Sequence, residues 1–271
     1  MKLVIVNDCA HVMEDIIPYV SDKFDINFIK RTRGLYSKTL GLLFDILRSE
    51  GEIYHANYAL QDAYLVSVFK HLDVLHVHGS DVRWTLKSKS WGWIVKHDLR
   101  SAKKVIYATP DLETIVKEYR PDAVYLPNPV RTDVFIPKES YSKNPRAVYF
   151  KLSYESLPKE LPELLQKNGI ALDVLEKKFP YSEMPSLLKK YDIFIDRFTI
   201  ESCSKTCLEA MSTGLATIDY RHKSFLKERA EQLSDPGFVE REGRENVEYI
   251  KNNHKAEVVA KKLEKIWEDL A

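Results

Sequence analysis

The chain has 271 residues, 41 basic and 40 acidic side chains and a formal net charge of +1. That balance excludes a global positive field for nucleic acid, and a 44% hydrophobic share excludes a disordered chain. The length suffices for two modest α/β domains, each with its own core, and no apolar run approaches a membrane span.

At the N-terminus MKLVIV leads straight into a strand, with no signal peptide. Strand-like runs follow at Leu3–Asn7, Asp25–Ile29, Ile53–Asn57, Val74–His78, Val105–Ala108 and Ala123–Leu126. Apolar residues at helical spacing separate them, as at Leu40, Leu43, Phe44 and Leu47, and again at Ala63, Val66 and Phe69. Strand and helix in alternation predict a doubly wound parallel sheet, whose ligands bind beyond the carboxyl ends of the strands. The residues to watch are therefore Asn7, Asp8, Asn57, His78, Gly79, Ser80, Asp81, Thr109 and Asn128. Alternation puts His76 and His78 on one side of the sheet, with His78 nearest the ligand edge and Gly79 free to turn sharply.

Two stretches combine basic and aromatic residues. Lys30, Arg31, Arg33 and Lys38 precede an amphipathic helix, and Trp84, Lys87, Lys89, Trp91, Trp93 and Lys96 crowd a second segment. Such a mixture suits an anionic lipid surface, or a solvated basic face over core tryptophans. Further on, Pro127 and Pro129 stiffen the chain around Asn128, and the polar stretch from Pro137 to Pro145 reads as an interdomain linker.

The second half opens with strands at Arg146–Phe150 and Ala171–Leu175. The segment DIFIDRFTIESCSKTCLEAMSTGLATI then organises the rest. Ile193–Ile195 reads as a buried strand, Thr199–Ser204 as a polar loop, Lys205–Ser212 as a helix stopped by Gly214, and Leu215–Ile218 as the next strand. Ser202 and Ser204 are cap candidates, so the helix N-terminus faces a loop carrying Glu201, with Glu209 about a turn inside. Unpaired amides and the helix dipole there can hold an anion. Of the three cysteines, Cys9, Cys203 and Cys207, none suggests a disulfide framework; they fit a reducing cytoplasm. Cys203-x3-Cys207 has no Cys or His companion close in sequence and does not read as a zinc site. Val259, Leu263, Ile266, Trp267 and Leu270 close the chain as the apolar stripe of a packing helix.

Glu201 to Gly214 resembles the E-x7-E signature and E-A-M-x-x-G tail of the family-4 glycosyltransferases, and His78-Gly79-Ser80-Asp81 resembles their H-G-x-D segment. The stretch from Pro127 to Phe135 is similar to their P-N-x-V-D-x-x-x-F segment. The resemblance implies an α/β GT-B fold: two Rossmann-like domains with parallel sheets facing across a cleft. Residues 1–137 would bind the acceptor and 138–271 the nucleotide sugar, with the last helix, about 254–271, crossing back to the first domain. It implies a retaining hexosyltransferase with a nucleotide-diphosphate sugar as donor substrate and a glycan or lipid-linked acceptor; no carboxylate cluster of metal-binding type lies near these segments, so no metal or other cofactor is expected. His78, Glu201 and Lys151 would be catalytic. Glu209 would hold the ribose, and Ser202, Cys203, Ser204, Lys205, Thr206, Gly79, Asp81 and Asn128 would line the donor site. Lys151 or Lys205 would face the leaving diphosphate, with Lys159 a weaker candidate because its spacing is wrong.

Two departures stand out. The family's glycines after the first Glu are Ser202 and Ser204 here, and its glycine-rich loop after the first strand is replaced by Asn7-Asp8-Cys9-Ala10-His11. A non-catalytic nucleotide-sugar-binding subunit is therefore the rival expectation. A dehydrogenase is disfavoured because no G-x-G-x-x-G follows any strand.

Overall fold

The computed structural model describes residues 1–31, 40–151, 154–176 and 179–271; Arg33 and Lys38 of the first basic stretch lie outside them. The chain divides into two compact units, Met1–Pro129 with Ala256–Ala271, and Val130–Lys255. The division falls between Pro129 and Val130, upstream of the boundary expected after residue 137.

In the first unit the strands are β1 (Lys2–Val6), β2 (Asp25–Ile29), β3 (Ile53–Asn57), β4 (Val74–Val77), β5 (Lys104–Tyr107) and β6 (Val124–Tyr125). They form one sheet in the order β2-β1-β3-β4-β5-β6, every pair parallel. Around it lie α1 (Val12–Ile16), α2 (Leu40–Arg48), α3 (Gln61–Phe69), α4 (Ser80–Arg83), α5 (Gly92–Ser101) and α6 (Glu113–Lys117). The central strands are buried almost throughout because both faces are covered. One core lies between the sheet and α2, α3 and α5; the other includes Leu3, Ile5, Met13 and Ile16.

The second unit holds β7 (Arg146–Phe150), β8 (Ala171–Leu175), β9 (Ile193–Ile195) and β10 (Ala216–Ile218), in the parallel order β10-β9-β7-β8. Its helices are α7 (Leu161–Lys167), α8 (Met184–Leu188), α9 (Lys205–Ser212), α10 (Leu226–Leu233) and α11 (Pro236–Asn253). Gly214 ends α9 with φ +86°, and the Leu215 amide returns to the Ala210 carbonyl at 3.0 Å. That left-handed turn feeds β10 back into the sheet.

The last helix, α12 (Ala256–Glu268), belongs to the first unit. Val259, Ala260, Leu263 and Trp267 enter its second core; Trp267 is fully buried, meets Phe24 edge-on at 5.3 Å and donates from Nε1 to His55 Nδ1 at 3.1 Å. No helix among the described residues is long and apolar enough to cross a membrane.

Candidate functional site

In each sheet the chain leaves its first strand to one side and returns on the other. This makes switch points between β1 and β3 in the first unit and between β7 and β9 in the second. Ligands of such sheets sit beyond the strand ends at those points.

In the second unit the loop leaving β9 is the Glu201 segment. Asp196, the residue after β9, is buried and accepts the Ser204 amide at 2.7 Å. Burial pushes its carboxyl above the usual range, against bonds from Ser204 and the charge of Arg197. Arg197 holds the loop from inside, donating to the Ser202 carbonyl at 3.2 Å and its hydroxyl at 3.0 Å. Glu155 accepts the Thr199 amide at 3.1 Å and hydroxyl at 2.9 Å. Ser204 is the N-cap of α9, its Oγ accepting the Cys207 amide at 3.0 Å. A small polar loop is thus tied down at both ends, and the first amides of α9 point out of the helix without acceptors inside it.

Glu201 lies exposed on this loop, whereas Glu209 is buried inside the helix. Glu209 Oε1 accepts from Lys205 Nζ at 2.7 Å and from Tyr181 OH at 2.9 Å; Lys205 also reaches Tyr181 OH at 3.1 Å. Lys205 therefore meets Glu209 before any diphosphate, and the two charges neutralise each other in a dry setting. Of the amides expected to take phosphate, that of Ser204 is already given to Asp196. Cys203 and Thr206 flank it half-buried, and Ser202 is buried. Lys151 stands at the end of β7, on the switch-point side, exposed and ion-paired with exposed Glu176. Salt screens such a pair readily, so the ammonium is available to an anion. Lys159 is exposed on the chain leading to α7.

In the first unit the loop after β1 keeps the backbone shape that glycine would supply. Asn7, Ala10 and His11 all have left-handed φ, at 67°, 55° and 61°. Tyr58, after β3, has φ 119°. Such strain in non-glycine residues gathers at ligand-binding loops. Asn7 donates to Asp62 Oδ2 at 3.0 Å, Asn57 donates back to the Asn7 carbonyl at 3.2 Å, and Arg31 pairs with Asp62 at 2.7 Å. Asp8 caps the following turn, accepting the Met13 and Glu14 amides at 2.9 and 3.1 Å. Asp8, His11 and Glu14 could by spacing ligate an ion, but Glu14 is already paired with Lys30 and His11.

His78 ends β4. Its ring stacks 4.2 Å from that of His76, which in turn lies 5.9 Å from His55. Burial pushes the His55 and His78 imidazoles down to about 3 and His76 well down, so all three are neutral at pH 7. His78 Nε2, both His76 ring nitrogens and His55 Nε2 are buried without hydrogen-bond partners. Gly79 has φ +135°, and a Cβ there would lie 1.9 Å from Arg83 Nη1. Asp81, expected among the donor-binding groups, is instead fully buried and clamps this turn. It accepts the amides of Gly79 at 2.7 Å, Val82 at 3.1 Å, Ala59 at 3.2 Å and His78 at 3.3 Å. Arg83 spans to the loop after β5, bidentate on Asp111 at 2.7 and 2.9 Å with Thr109 at 2.9 Å. Asn128 is buried at the end of the unit's main segment.

Trp84, Trp91 and Trp93 are about half exposed, at 51%, 52% and 55%, so they are not core residues. Trp93 helps line a groove of ≈ 620 Å³ with Lys87, Lys89, Lys96 and Tyr119. In the other basic stretch, Lys30 and Arg31 are committed to Glu14 and Asp62.

Sequence reading missed Asp196, Arg197 and Glu155 as organisers of the loop, and His55 behind His78. Asp196 and Arg197 had a signal, since they directly follow a strand; Glu155 and His55 act through contacts distant in the chain, with none.

No protein-family model and no curated protein sequence matches this chain. Solved structures do. A sucrose-phosphate synthase from Thermosynechococcus elongatus aligns over 100% of this chain and 99% of its own, with TM-score 0.69 and 10% identity. The catalytic domain of starch synthase IV from Arabidopsis thaliana, bound to ADP and acarbose, aligns over 99% of both chains with TM-score 0.65 and 10% identity. A UDP-forming α,α-trehalose-phosphate synthase from Burkholderia vietnamiensis aligns over 100% and 99% with TM-score 0.58 and 9% identity. These are GT-B proteins, and the two-sheet α/β architecture of this chain is the GT-B fold.

Proposed function

We propose that the chain is a glycosyltransferase that moves a hexose from a nucleotide-diphosphate sugar to a glycan or lipid-linked acceptor. The observation that carries the reading is the anchored turn from Asp196 to Glu209. It sets a helix N-terminus, a solvent-facing carboxylate and a buried one at the switch point of the second sheet. Similarity to solved sugar-transferring synthases adds to it.

Glu201 holds hydroxyls of the donor sugar. Glu209 takes the ribose, for which it exchanges part of its bonding with Lys205 and Tyr181. The amides opening α9, with Lys151, take the diphosphate; Lys205 joins them when Glu209 turns to the ribose. As the bond from the sugar C1 to phosphate oxygen breaks, charge gathers on the diphosphate, and fixed dipoles and cations lower that barrier. The acceptor oxygen bonds to C1 and its proton leaves with the phosphate oxygen. A neutral His78 donates a hydrogen bond to the sugar rather than adding a second positive charge. The anomeric configuration is retained, and the reacting centre uses no metal. We place the chain in the cytoplasm, whose reducing conditions suit its cysteines, with the exposed tryptophans and lysines of the α4–α5 region resting on anionic lipid.

Turnover of nucleotide sugars by purified protein, lost in Glu201→Ala and in His78→Ala with the far-UV spectrum intact, supports transfer. Unchanged turnover in both variants refutes these roles. Product anomers read by proton NMR test retention, and an unchanged rate on adding Mg2+ or Mn2+ tests metal independence. Co-sedimentation with anionic vesicles, lost when Trp91 and Trp93 become Ala, tests the membrane contact.

The second reading is a nucleotide-sugar-binding subunit without turnover. It is favoured by the Lys205–Glu209 pair, which occupies the ribose carboxylate. Thermal shifts with UDP, GDP or ADP sugars but no transfer to any acceptor would select it.

A further inference from the structure

We propose that Asp196, Cys203 and Cys207 form a binding site for one thiophilic divalent cation of the Zn2+ class, at the junction of β9 and α9. One ligand atom from each residue lies within 4.8 Å of the other two. In a tetrahedral zinc centre, with bonds of about 2.3 Å to sulfur and 2.1 Å to oxygen, neighbouring ligand atoms stand roughly 3.6–3.8 Å apart. Small side-chain rotations therefore close the site without moving the backbone.

The local fold explains why the three meet. Cys203 directly precedes the N-cap Ser204, and Cys207 is in the first turn of α9, so the two thiols share one side of the helix start. Their sulfur atoms lie within 4.8 Å of each other. Asp196 comes in from the end of β9, its carboxylate oriented by the Ser204 amide at 2.7 Å. A hydrogen bond that fixes a carboxylate in this way is the usual support of a metal ligand. The companion absent near the cysteines in sequence is thus a carboxylate delivered by the preceding strand.

The surroundings suit a cation that binds sulfur. Cys207 is fully buried and Asp196 nearly so, while half-buried Cys203 leaves a path for entry. The buried carboxylate of Asp196 stands beside the two sulfurs, and a dication between the three would offset its charge. Arg221, held by Asp219 at 2.9 Å, lies near both sulfurs. Two thiolates select against Mg2+ and Ca2+, and a water completes four-coordination. The ion would be structural, fixing the Glu201 loop, and the site stands whether or not the chain transfers sugar.

The test is a Co2+ titration of the full chain, reduced and stripped with chelator, followed by absorbance. The expected result is one equivalent bound, with a sulfur-to-cobalt charge-transfer band in the near ultraviolet that stoichiometric Zn2+ abolishes. Cys203→Ser and Cys207→Ser each lose most of the band, Cys9→Ser keeps it, and Asp196→Asn keeps it but binds at least tenfold more weakly. Absence of the band in the unsubstituted chain overturns the proposal, whatever the variants do. So does a band of full strength in Cys203→Ser or Cys207→Ser.

Discussion

Replacing His76 by Phe isolates one buried imidazole from the stack behind His78. His76 is wholly enclosed, neither ring nitrogen has a partner, and burial holds its pKa well below 6.5. In the unfolded chain it takes a proton near pH 6.5; in the folded chain it does not. Its contribution is therefore constant above pH 6.5 and turns against folding as pH falls below it, by about 1.4 kcal/mol per pH unit. At pH 5 that amounts to about 2 kcal/mol. Phe has no such proton, so the variant gains about 2 kcal/mol on the unsubstituted protein between pH 7.5 and pH 5. The absolute curve is not diagnostic, because Asp98, raised to about 9, and Asp62, raised to about 6, titrate in the opposite sense. The difference between the two proteins removes both. At pH 7.5 Phe also spares two orphaned nitrogens, worth about 1 kcal/mol or more. Urea unfolding at pH 7.5, 6.5, 5.5 and 5.0 measures it. Parallel stability curves for the two proteins would refute the reasoning, since they would mean His76 is hydrated or protonated when folded.

Ser204→Ala removes the cap of α9 and costs about 1 kcal/mol in urea unfolding, with weaker nucleotide-sugar binding in a thermal-shift assay. Gly79→Ala forces a side chain into a left-handed turn already filled by Arg83; it lowers the melting temperature and, on the proposed role of His78, turnover as well. Lys205→Met strands the buried Glu209 carboxylate and costs about 3–5 kcal/mol, most of which returns when Glu209→Gln is added. A double variant no more stable than Lys205→Met alone would show that the pair is not what holds that helix.

Much of the scaffold was legible in the chain because it rests on local patterns. Apolar runs bounded by polar turns gave β2, β3, β7, β8 and β9 at the observed limits, and β1, β4, β5, β6 and β10 to within a residue or two. The helix from Lys205 to Ser212 was legible from its serine cap and its terminal glycine, both short-range signals. The side of the strand shared by His76 and His78 followed from simple alternation, as their stacked rings bear out.

Tertiary structure alone decided what those residues face. Periodicity puts Lys205 one turn from Glu209 on the same helix, but only packing brings Tyr181 onto the carboxylate and buries the pair. Asp81 reads as a polar residue beside a glycine, and only the convergence of β3 and β4 turns it into a buried acceptor of four amides. The loop after β1 lacks glycine, yet the fold around it holds Asn7, Ala10 and His11 in the glycine-like conformation. Local sequence determines elements because their hydrogen bonds and spacing are short-range. Charge state, strain and pairing are set by desolvation and by neighbours distant in the chain, and those exist only once the sheets have assembled.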